Sequence, residues 1–283
     1  MKQITSQLQD VRAALAAGTL IPYLGPGLLE LVPDCPVPDA PEKLAAFMSS
    51  KVTVSHKIRN RLTAAAQFIE NFKHRKTLVN LMQQAFSASV APTRLQLALA
   101  ALPDVPLIVD VWYDDAMQNA LALAARGNWG QVQGLAQSEH FGTWFQCYDA
   151  AGQAVEEETA DAWKTVLYQP IGACAPAANY LVSDSDYVEV LTEIDIQTPI
   201  PSLVQSLRRG RHFLFIGCRF NDQLQRTFAR QIIKRSSDRH WAVLQGKPSR
   251  NEQRFMAEYG IEQIDIPLAD FETAFIAESL VAA

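Results

Sequence analysis

The chain has 283 residues, 48 % of them hydrophobic and 19 % charged, which excludes a disordered or fibrous protein and leaves room for one large domain or two small ones. Lysine and arginine total 25 against 30 aspartate and glutamate, a net charge of −5; this balance argues against a nucleic-acid partner, which needs a basic field. The longest apolar runs, such as Leu95–Leu102, fall far short of the ~20 residues of a membrane span. Because the polar segment Met1–Asp10 also lacks an apolar signal core, the expectation is a cytoplasmic protein with no membrane partner.

Ile4, Leu8, Val11 and Leu15 recur at helical spacing, and Gly18 fits the C-terminal cap of that helix. Leu20–Leu24 reads as a buried strand running into Gly25-Pro26-Gly27. Between about Pro41 and Leu102 the pattern is helical. Ile58, Leu62, Ile69 and Phe72 lie along one face, Leu78, Met82 and Phe86 along another, and Pro92 suits the first turn of a third helix. These stripes read as core packing. The Lys73–Lys76 cluster reads as a solvated face.

Leu107–Val111 is an apolar run suited to a strand buried on both faces. A helix over Asp114–Arg126 follows, with Asp114 or Asp115 at its start. Trp129–Leu135, Thr143–Tyr148 and Thr165–Gln169 are strand candidates, and Asp184–Ile194 is a helix with Asp184 as cap. His212–Ile216 is a strand ending at Gly217, Asp222 caps a helix through Ile232, and Trp241–Leu244 is a strand. A helix over Ser249–Tyr259, a strand over Ile261–Ile266 and a last helix from Leu268 complete the chain. Strands alternating with helices predict an α/β fold with a mostly parallel sheet covered on both faces. The whole chain, 1–283, reads as one domain with a helical insertion around 40–102 and a smaller subdomain around 127–165.

In open α/β sheets ligands bind beyond the carboxyl ends of the strands, which selects Gly25–Gly27, Asp110–Asp114 and Gly217–Asp222. Glycines after a strand let the backbone approach a pyrophosphate. No CxxC exists among Cys35, Cys147, Cys174 and Cys218, so neither a zinc ribbon nor a dithiol redox pair is expected. Ser183 and Ser185 lack a G-x-S-x-G context, which argues against a hydrolase triad.

Taken in order, Ile21-Pro22-Tyr23-Leu24-Gly25-Pro26-Gly27 resembles the opening loop of the sirtuin-like family, roughly GAGxS after a strand. Leu107–Asp115 is similar to the family's second strand, which ends in T-x-N-x-D. Val166–Gly172 looks like its "vyKLHG" segment, and Phe213–Asp222 resembles the "lfiGysfsD" segment of its bacterial branch. The resemblance implies a Rossmann-like domain with a helical insertion that binds NAD in relatives. It places Gly25, Pro26, Gly27, Trp112, Asp114, Ile171, Gly217 and Asp222 at the cofactor site.

The departures from that pattern are chemical. The family's Asn falls on Trp112, whose indole offers one donor and no acceptor. The family's His falls on Ile171, which cannot move a proton. Pro26 has no N–H for a phosphate, and the family's Ser falls on Leu29. Without the four-cysteine module the chain looks closer to zinc-free bacterial relatives. The resemblance therefore implies a catalytically degenerate protein that binds a nucleotide (NAD or ADP-ribose), a protein partner, or both. The alternatives are an active NAD hydrolase or deacylase with relocated catalytic residues, and a scaffold with no nucleotide ligand.

Overall fold

In a computed structural model, residues 2–124, 127–193 and 199–279 are described. Helix α1 (Lys2–Ala16) buries Val11 and Leu15; the side chain of Ile4 lies outside the described residues. Gly18 ends this helix at φ +64°, with Gly18 N–H donating to Leu15 O and Thr19 N–H to Ala14 O, a left-handed cap. Strand β1 (Leu20–Leu24) is buried throughout and leads into a 3-10 turn, Pro26–Leu31.

Helices α2 (Pro41–Lys51), α3 (Leu62–Lys73), α4 (Arg75–Ala85) and α5 (Arg94–Ala101) separate β1 from strand β2 (Leu107–Asp110). Ile69, Leu78, Met82 and Phe86 are buried, as their spacing predicts. Ile58 and Phe72 depart from the expected stripe. Ile58 lies in a turn before α3, and Phe72 is 66 % exposed because α3 turns Ala65, Ala66 and Ile69 to the core. Pro92, expected in the first turn of a helix, lies outside it. Thr93 takes the cap position, its hydroxyl accepting from Gln96 N–H while Gln96 Oε1 accepts from Thr93 N–H.

After helix α6 (Ala116–Leu123) come β3 (Trp129–Gly134), β4 (Phe145–Asp149), β5 (Ala154–Val155), α7 (Glu157–Ala160) and β6 (Thr165–Gln169). Then follow β7 (Gly172–Ala173), β8 (Asn179–Tyr180), α8 (Asp184–Glu193), α9 (Ser202–Leu207), β9 (His212–Ile216) and α10 (Gln223–Ile233). The last elements are β10 (His240–Val243), α11 (Arg250–Glu258), β11 (Ile261–Ile264) and α12 (Leu268–Ser279). Ala125, Arg126 and Ile194, the expected ends of two helices, lie outside the described residues. Ser183, not Asp184, caps α8: its Oγ accepts from Asp186 N–H, and Asp186 Oδ2 accepts from Ser183 N–H.

Nine strands join in the order β11-β10-β9-β1-β2-β6-β3-β4-β5. Every pairing from β11 across to β3 is parallel, whereas β3–β4 and β4–β5 are antiparallel. The strand expected at Thr143–Tyr148 therefore starts at Phe145 and runs against its neighbour, because a parallel return needs a longer crossover than the link from Gly134. β1 is the middle of the seven parallel strands. Leu24 O accepts from Val111 N–H on the β2 side, so alternation points the missing N–H of Pro22 the same way. The β1–β2 ladder accordingly begins only at Tyr23, while all five residues of β1 pair with β9.

Alternation also divides the core. Ile21, Tyr23, Val109, Phe213 and Phe215 pack with α2–α4 and α8–α11 on one face. Leu20, Leu24, Ile108, Leu214 and Ile216 pack with α1, α5, α6 and α12 on the other. The result is a Rossmann-like α/β sheet with helices on both faces. Among the described residues, no helix is long and apolar enough to cross a membrane.

Candidate functional site

The parallel strands all end on one side, and there a cleft of about 840 Å³ opens. Pro26 and Gly27 after β1, Trp112 after β2, Ile171 after β6 and Gly217–Asp222 after β9 line its floor. Tyr187 of α8, Phe228 of α10 and the Asn60–Thr63 segment before and in α3 supply walls. Six of the eight site positions read from the sequence thus converge: Pro26, Gly27, Trp112, Ile171, Gly217 and Asp222. Gly25 and Asp114 are not in the lining.

The glycines are fixed by two loops in close approach. Gly27 N–H donates to Gly217 O, Gly25 N–H to Ile216 O, and Leu28 N–H to Gly25 O. A Cβ at Gly25 would meet Cys218 Sγ and Gly217 O at 2.7 Å, and one at Gly27 would meet Gly217 O at 2.9 Å. Gly217 itself sits at φ +67°, a conformation that glycine adopts freely. The loop amides at 25, 27 and 28 are therefore spent within the protein, and Pro26 has none.

Trp112 is 3 % exposed; its indole N–H donates to Pro38 O at 2.8 Å, and its ring packs on Phe86 and Tyr113. Ile171 is equally buried, in the same apolar cluster. Asp222 Oδ1 accepts from Leu224 and Gln225 N–H, so it caps α10 as expected. Asp114 Oδ1 accepts from Ala116 N–H at the start of α6, and Asp110 Oδ1 accepts from Trp112 N–H. Burial pushes both carboxyls up, Asp110 further by the charge of Asp114, and Asp114 to about 6 with help from Asp115.

The cleft carries more acid than base. Glu30, Asp39, Glu42 and Asp222 face Arg61 and Arg219. Arg219 makes a two-pronged pair with Glu252, Nε–Oε1 at 3.0 Å and Nη2–Oε2 at 3.2 Å. Glu252 also accepts from Phe220 and Ser249 N–H. Burial raises this carboxyl, but the Ser249 and Arg219 hydrogen bonds outweigh it and hold the group below the usual range. Cys218 is buried and its thiol is pushed well up, chiefly by burial and then by the Asp110 charge, so it is not a thiolate nucleophile. No histidine lines the cleft among the described residues, and none of their His, Cys, Asp and Glu side chains form a group of three or more able to hold a metal ion.

These residues do not fit NAD as relatives hold it. The loop amides at 25, 27 and 28 are already bonded, so the pyrophosphate of NAD or of any ADP-ribose compound would have to find its partners elsewhere in the cleft. Trp112 and Ile171, which the resemblance places at the nicotinamide end, are buried and line the cleft with apolar bulk. The cleft residues that sequence reading missed, Arg61 just before α3, Tyr187 of α8 and Phe228 of α10, come from places far apart in the chain, with no local pattern to mark them. A family model described as SIR2-like domain matches residues 106–264. The search of curated proteins gave no match.

Proposed function

The chain belongs to the SIR2-like domain family, and on that premise we propose that it is a non-catalytic member whose cleft binds a nicotinamide-free nucleotide such as ADP-ribose in preference to NAD. The observation that carries this reading is the pair Trp112 and Ile171. Both are buried at the strand ends where the resemblance puts the polar reacting groups, while about 840 Å³ stays open beside them. That volume lies within the range of small-molecule sites. Phe228 and Tyr187 offer apolar walls for a base, and Arg61 offers positive charge for phosphates; Arg219, held by Glu252, presents only the remainder of its guanidinium. Among the described residues no imidazole lines the cleft to transfer a proton.

Calorimetry with ADP-ribose and NAD, alongside a nicotinamide-release assay, tests the proposal. ADP-ribose is expected to bind at least as tightly as NAD, with no release above the buffer rate. Much tighter NAD binding, or rapid nicotinamide release by the pure protein, overturns it. A second reading, a scaffold that acts only through a protein partner, is favoured by the spent amides of Gly25, Gly27 and Leu28. Binding of neither ligand selects that reading.

A further inference from the structure

Phe141 is 95 % exposed, at the tip of the β3–β4 connection. A ring in that position normally gains from burial, yet the backbone beneath it is held firmly. Thr143 N–H donates to His140 O, closing a turn with Gly142 at φ +82°, the geometry that a type II turn demands at its third residue. Gln137 braces the same turn from inside: its Oε1 accepts from Gly142 N–H at 2.9 Å and its Nε2 donates to Thr143 O at 2.8 Å. A braced turn presents its corner residue with little ordering left to do on binding.

The turn is also fastened to the α3–α4 corner. Arg75 Nε pairs with Glu139 Oε2 at 3.0 Å, and Arg75 Nη1 with Asp186 Oδ2 at 2.8 Å. Around that corner Phe72 is 66 % exposed, with its ring 4.5 Å from that of Phe68. Lys73, His74 and Lys76 are exposed too, and none of the three makes a side-chain hydrogen bond or ion pair with the described residues. His74 breaks the helix at φ +68°. Exposed rings beside two lysines with no such partner therefore stand out on a chain whose net charge is −5.

We propose that the Phe141 turn and the adjoining Phe72–Lys76 corner form a docking surface for an acidic segment of a partner protein, with an apolar side chain of that segment packed against Phe141. Charge complementarity selects the acid, and the rings select the apolar residue. A protein segment is favoured over nucleic acid or an anionic membrane. Two lysines cover few phosphates, too few for a long nucleic acid or a membrane surface to gain from counterion release. The surface is separate from the cleft, so its test is independent of the nucleotide reading.

The probe is a fluorescein-labelled peptide of alternating glutamate and leucine, followed by fluorescence anisotropy at low and physiological salt. Saturable binding is expected, weakened at least about tenfold by Phe141→Ser, and by a few-fold in the Lys73→Glu, Lys76→Glu double variant. Circular dichroism should be unchanged in both. Leu123→Ser, at a position 68 % exposed on α6, should leave the affinity as it is. The proposal is overturned by absence of saturable binding or by unchanged affinity in both surface variants. Tighter binding of oligothymidylate or phosphatidylserine vesicles than of the peptide overturns it as well, and so does self-association of the chain that Phe141→Ser abolishes.

Discussion

Gly217→Ala is the sharpest test of why the cleft floor holds glycines. At φ +67° the new Cβ would lie 2.2 Å from Leu28 N, 2.8 Å from Gly27 C and 3.0 Å from Gly25 O. All three are backbone atoms, so no side chain can swing away to make room. The left-handed conformation costs about 1–2 kcal/mol for a residue with a Cβ, and forced overpacking adds roughly 1–3 kcal/mol. Together the loss of stability should be about 2–5 kcal/mol, a fall of roughly 3–8 °C in Tm for a chain of this size. Urea denaturation and thermal melting of the pure protein measure it directly. Gly127→Ala is the internal control: its Cβ meets nothing within 4 Å, so its effect should stay within ~0.5 kcal/mol. If Gly217→Ala proves as stable as the parent, the loop-against-loop explanation is wrong. Lost ligand affinity at unchanged stability would instead assign the glycine to the ligand.

Two further outcomes follow from buried charge. Arg75→Ala removes the partner of Asp186, Glu139 and Glu70 at once and should cost about 3–5 kcal/mol in urea denaturation, with Arg75→Lys recovering only part because it loses the planar fork. Asp114 titrates in the folded protein at about 6, above its ordinary 3.8. The native state therefore holds the proton more tightly, and this group lowers stability as pH rises from about 4 to 6. Asp114→Asn keeps an oxygen for Ala116 N–H, so its stability relative to the parent should climb over that window, by up to about 3 kcal/mol. A flat difference between pH 4 and 7 would refute the assignment.

Three strands, Leu20–Leu24, Thr165–Gln169 and His212–Ile216, coincide with their sequence expectations to the residue. They are short, mostly apolar runs flanked by glycine, proline or polar residues, buried on both faces. The antiparallel direction of β4 was not legible, because composition does not reveal where a connection returns. The buried amides of Gln133, Gln169 and Asn179 were equally hidden. They are linked across the fold, with Asn179 Nδ2 donating to Gln133 Oε1 at 2.9 Å and Gln133 Nε2 to Gln169 Oε1 at 3.4 Å, while Gln169 Nε2 finds no partner among the described residues. That Trp112 and Ile171 line the cleft was legible because both follow strands whose ends the motif resemblance marks. The role of Gly25, Gly27 and Gly217 was not, since a glycine that admits a phosphate and one that admits another loop look the same in sequence.

The central position of β1 has a consequence for synthesis on the ribosome. Leu20 pairs with His212, about 190 residues further along, and Gln7 of α1 donates to Gln263 O. At roughly 5–20 residues per second, β1 waits on the order of 10–40 s for its β9 partner to emerge. During that time an apolar strand, with one edge served only by the short β2 ladder, is exposed to any other chain within reach. Nascent chains of this protein should therefore depend on holding chaperones, and a circular permutant that brings β9 next to β1 in sequence should be freed from that dependence.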